Sequence, residues 1–107
     1  MPAEHPQQAL TEFLRTMRAV AAAGPAPPRG PLTPGETAEH VERVVREWGA
    51  PAEVGAAAAE VVRFLRGLEA ARGARGPAAR VGIEGATLRR FGAWAAAELR
   101  ARHPGGT

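Results

Sequence analysis

Residues 33–68 read TPGETAEHVERVVREWGAPAEVGAAAAEVVRFLRGL, and this stretch decides the fold class. Thr33 and Glu36 have the spacing of a capping box, and Pro34 stands at the first helical position, where its missing N–H costs nothing. Ala38, Val41, Val44, Val45 and Trp48 recur at helical period. Glu39, Glu42, Arg43, Arg46 and Glu47 fall outside that stripe. Glu39–Arg43 and Glu42–Arg46 are spaced as i,i+4 pairs. Gly49 is the expected stop.

Pro51 reopens a helix almost at once, which predicts an antiparallel hairpin of two helices. In the second of them Val54, Ala57, Ala58, Val61, Val62, Phe64, Leu65 and Leu68 cover a wide arc. That is the pattern of a central helix with neighbours on more than one side. The small residues from Gly55 to Ala59 allow a neighbour to approach closely.

Working outward, an earlier helix is predicted from about Pro6 to Ala23, with Leu10, Phe13, Leu14, Met17, Val20 and Ala21 as its stripe. A proline-rich connector, residues 24–33, follows, and its composition predicts an extended, stiff link. On the other side a basic Gly/Arg loop is expected at residues 72–80. Val81-Gly-Ile-Glu-Gly85 suits a turn, a very short strand or a helix extension. A last helix runs from about Ala86 to Arg102 with Leu88, Phe91, Ala95 and Leu99 inward. The expected architecture is all-α: a single helical domain over residues 1–107, a small bundle of about four helices with Pro/Gly-rich connectors and flexible ends at 1–5 and 103–107.

The 107 residues suffice for one core without staples. Cys, Asp, Lys, Asn, Ser and Tyr are all absent. Such a bias, beside abundant Ala, Gly, Pro and Arg, points to a GC-rich bacterial genome. With no cysteine there is neither a disulfide framework nor a thiolate nucleophile. No run of about 18 apolar residues predicts a membrane span, and the N-terminus has no secretory pattern, so the cytoplasm is expected.

Catalysis needs a nucleophile, a tuned acid–base pair, a metal or a cofactor loop. Ser, Cys, Lys, Tyr and Asp are excluded by composition. His5, His40 and His103 share no metal-ligand spacing. No G-x-G-x-x-G or P-loop pattern is present. The sequence therefore predicts a protein that is not an enzyme and takes neither metal nor cofactor. The hairpin at Gly49 suggests a helix-turn-helix, but its second helix opens Ala52-Glu-Val-Gly-Ala-Ala, without Arg, Asn or Gln for a base edge. That reading is rejected.

Charge is uneven along the chain. Residues 1–62 hold five Arg and eight Glu, residues 63–107 nine Arg and three Glu, within a net charge of +3. Arg72, Arg75, Arg80, Arg89 and Arg90 are the candidates for phosphate contact. Glu60–Arg63, Glu69–Arg72 and Glu98–Arg102 are expected to neutralise part of the excess. Trp94 lies at the edge of its stripe with Arg90 one turn before it. An Arg–Trp pair at an apolar edge is what interface hot spots favour, whereas a packing role would have Trp94 cap the bundle.

The expected function is a non-enzymatic interaction module, an accessory subunit or adaptor docking to another protein or to a second copy, with Arg90 and Trp94 in the docking surface. The alternative is sequence-nonspecific nucleic-acid binding by the Arg-rich second half.

Overall fold

The computed structural model describes residues 6–25, 27–71 and 82–103. Four helices form a small bundle, with no strand among these residues: α1 (Pro6–Ala22), α2 (Pro34–Trp48), α3 (Ala52–Ala71) and α4 (Gly85–Arg102). The termini 1–5 and 104–107 and most of the segment between α3 and α4, including the Gly/Arg stretch 72–80, lie outside the described residues.

Local chemistry sets the ends of α2. The Thr33 hydroxyl accepts from the Glu36 backbone N–H at 3.1 Å, and the Glu36 carboxylate accepts from the Thr33 N–H at 2.9 Å. Two donors left over by the helix start are thus satisfied reciprocally. At the far end Gly49 takes φ 69°, a left-handed conformation that suits glycine, and its N–H donates to the Val45 carbonyl. Of the ambiguous stretch, Gly82 to Glu84 is not helical and Gly85 begins α4. Val81 lies outside the described residues.

Helix directions follow from cross-helix contacts. Gly35, at the start of α2, meets Glu69, near the end of α3, so these two are antiparallel. Glu12 of α1 meets Arg89 near the start of α4, while Val20 and Ala23 at the end of α1 share a groove with His103 at the end of α4. Those two helices run the same way. Helix α2 runs with them, since Trp48 lines that same groove and Thr37 lies beside Thr11 and Leu14. Helix α3 alone runs the other way.

This topology obliges the proline-rich connector to travel back along α1. Ten residues in extended form reach about 30 Å, and a 17-residue helix is about 25 Å long, so the link is long enough. Pro31 and Leu32 consequently lie beside Leu14 and Arg15.

The core unites Phe13, Met17 and Val20 of α1 with Val41 and Val44 of α2, Val61 and Leu65 of α3, and Leu88, Phe91 and Ala95 of α4. Each helix packs against two others in the cyclic order α1–α4–α3–α2, so α3 has neighbours on two sides, as its wide arc predicts, but is no more central than the other three. Trp48, Val62, Phe64, Leu68 and Leu99 are partly buried against this core.

Helix α1 departs from its expected stripe. Ala9 and Phe13 are buried, while Leu14 remains 41% exposed. On α4, Gly92 faces α1, and a Cβ placed there would stand in ordinary contact, 4.0 Å from the Phe13 Cα. The Ala9–Phe13 side of α1 meets Leu88, Gly92 and Ala96 of α4, which leaves Leu14 on the flank.

Candidate interaction surface

Four of the five aromatic residues form one chain of contacts across α1, α4 and α2. Ring centroids lie 6.1 Å apart for Phe13–Phe91, 5.8 Å for Phe91–Trp94 and 6.2 Å for Trp94–Trp48, all tilted. Tilted pairs at such separations are favourable beyond simple burial. Trp94 is half-buried, with its ring set between Phe91 and Trp48.

An arginine does stack on a tryptophan here, but the pair differs from the expected one. The Arg102 guanidinium lies 5.0 Å over the Trp48 ring and donates to the Trp48 carbonyl at 3.4 Å. Glu98 holds the same guanidinium at 3.2 Å, the i,i+4 pair expected on α4. Arg90 is exposed, and its guanidinium makes neither hydrogen bond nor ion pair among the described residues.

Two of the phosphate-contact candidates can be located. Arg89 donates to the Glu12 carboxylate at 3.3 Å, joining α4 to α1, and Arg90 stands beside it in sequence on the solvent side. Arg72, Arg75 and Arg80 lie outside the described residues, and so does the expected Glu69–Arg72 pair. Glu42 binds Arg66 of α3 at 2.8 Å in place of Arg46, because the hairpin brings a better-placed guanidinium across the helix boundary. Glu60 accepts from the Thr87 hydroxyl at 3.3 Å.

His40 has its pKa lowered, first by partial burial and then by the nearby charge of Arg43; Glu39 and Glu36 pull the other way. Among the described residues, no three of His, Cys, Asp and Glu are close enough to hold a metal ion. Nor is any described helix long and apolar enough to cross a membrane.

One surface feature escaped the sequence reading. Leu14, Pro31 and Leu32 form the apolar floor of an open groove of about 310 Å3 between α1 and the connector. Arg15 and Arg18 rim it, and Thr11 and Thr37 close its polar margin. On α1, Thr11, Leu14, Arg15 and Arg18 share one face at i, i+3, i+4 and i+7. Period alone places Leu14 in the buried stripe. Its place on the stripe's edge, directly before Arg15 and one turn before Arg18, was the available hint.

The sequence matches no known family model, and neither a curated protein nor a solved structure is detectably similar to it.

Proposed function

We propose that this chain is a non-enzymatic helical interaction module, an accessory subunit or adaptor that docks another protein, and that it docks through α1 and the returning connector. The observation that carries the reading is Leu14. Among the described residues it is the large apolar side chain left exposed, at 41%, and it lies in a groove beside Pro31 and Leu32. A contiguous apolar patch with a polar rim marks interaction surfaces, and Leu14, Pro31 and Leu32 supply a small one between Arg15 and Arg18. Trp94 and Arg90, the surface suggested by the sequence, receive less support, since Trp94 already packs against Phe91 and Trp48.

The test is selection of binders from a displayed peptide library, followed by mapping amide shifts on the isotope-labelled chain. Shifts should centre on Leu14, Arg18 and Leu32. Leu14→Glu should weaken those binders by about 1–3 kcal/mol with little change in the melt, as truncating an exposed anchor does. No enriched peptide, or peptides that all map elsewhere, would remove α1 as the docking face. Tight, salt-sensitive binding of duplex DNA by the basic second half would instead favour the nucleic-acid alternative.

A further inference from the structure

Resting on that docking reading, we infer the chemistry of the partner: an acidic amphipathic segment of another protein. Its apolar side chains would sit on Leu14, Pro31 and Leu32, and its carboxylates would pair with Arg15 and Arg18.

The charge distribution among grooves carries this. Three other surface grooves of the described residues each set a carboxylate among their arginines. Glu12 stands with Arg89 between α1 and α4, Glu42 with Arg46 between α2 and α3, and Glu47 with Arg43 near the ends of α1 and α2. The Leu14 groove differs, being lined by two arginines and no carboxylate.

Nothing nearby on α1 compensates them. Arg15 and Arg18 stand three residues apart on one face, where like charges repel. The acid closest in sequence, Glu12, is engaged by Arg89 at 3.3 Å and Gln8 at 3.5 Å. Neither guanidinium has an ion-pair or hydrogen-bond partner among the described residues. A partner bringing carboxylates one helical turn apart relieves this repulsion and gains charge-assisted hydrogen bonds, for which arginine's fork is well suited.

Other occupants fit less well. A membrane-surface helix inserts several large apolar side chains. This face offers Leu14 alone from α1, with Pro31 and Leu32 held on a separate segment. A nucleic-acid backbone would use the two arginines but gain nothing from the apolar floor.

The experiment uses the full chain and the peptides selected on it. Those mapping to the Leu14 groove are expected to carry Asp or Glu flanking Leu, Ile or Phe. Their affinity should fall about tenfold or more for Arg15→Glu/Arg18→Glu, in high salt, and when their acids are replaced by Gln. Arg15→Gln/Arg18→Gln, which adds no new charge, should give a smaller loss in the same direction. Thermal melts of both variants check that the fold is kept.

Groove-binding peptides that are neutral or basic, or that ignore the double charge reversal, would overturn the acidic-partner inference and leave the docking reading standing. Absence of any groove-binding peptide would overturn both. Phosphatidylserine vesicles and duplex DNA serve as comparison arms. Binding to either that exceeds the peptides and vanishes in the charge-reversed variant would assign this face to that anion instead.

Discussion

The carboxylate of Glu69, near the end of α3, accepts a hydrogen bond from the backbone N–H of Gly35 at 2.9 Å, in the first turn of α2. Two residues 34 apart in sequence thereby close the open end of the hairpin, away from the Gly49 turn. The contact satisfies a donor that a helix start leaves unpaired, and it puts negative charge where the helix dipole favours it. Glu69→Ala should therefore cost about 0.5–2 kcal/mol in urea unfolding, and Glu69→Gln, which keeps the acceptor without the charge, less. Equal stability of all three chains would show that the contact contributes nothing.

The capping box at the same end is separable from that clamp. Thr33→Ala should cost about 1 kcal/mol. Adding Glu36→Ala should cost less than the sum of the single changes, because the two side chains act on one turn. A double-mutant cycle on thermal melts measures the coupling, and strict additivity would mean that the two bonds are independent.

Trp94 distinguishes packing from recognition. Its contacts with Phe91 and Trp48 predict that Trp94→Ala loses about 2–4 kcal/mol, somewhat below the range for a fully buried tryptophan. Arg90→Ala should leave the melt unchanged within about 0.5 kcal/mol, as exposed substitutions do. A Trp94→Ala chain as stable as the parent would return Trp94 to the docking surface.

Leu65 and Val61, 1% and 0% exposed, test the position of α3 between α2 and α4. Leu65→Ala should cost about 2–4 kcal/mol and Val61→Ala about 1–3. Small losses at both positions would mean that α3 lies at the edge of the bundle.

His40 gives the fold a mild acid sensitivity. Burial and Arg43 lower its pKa in the folded chain below the ordinary value of 6.5. The unfolded chain thus binds the proton first as pH falls, and stability declines from about pH 6.5 downward through the folded pKa. Above that window neither state is charged at His40 and the contribution is flat. His40→Gln should flatten the stability profile between pH 7 and 5, to about the extent that His40 causes it, in denaturant titrations at several pH values. An unchanged slope would assign the acid sensitivity to other groups.

The parts legible in the sequence were those whose physics is local. Thr33, Pro34, Glu36 and Gly49 mark the ends of α2 because caps, a fixed proline φ and a left-handed glycine act within a few residues. The apolar period named Phe13, Met17, Val41, Val61, Leu65 and Phe91 as core, since any bundle must bury the centre of each stripe. The edges of the stripes were settled only by tertiary contacts. Leu14 is exposed because α1 presents its Ala9–Phe13 side to α4. Glu42 pairs with Arg66 because α3 lies within reach, and Arg102, one turn past Glu98, finds Trp48 across the bundle. The groove itself depends on a connector that returns along α1, a path imposed by three helices running one way and one the other. Side chains at a stripe's edge are within reach of either core or solvent, so the neighbouring helix, rather than the period, decides which they meet.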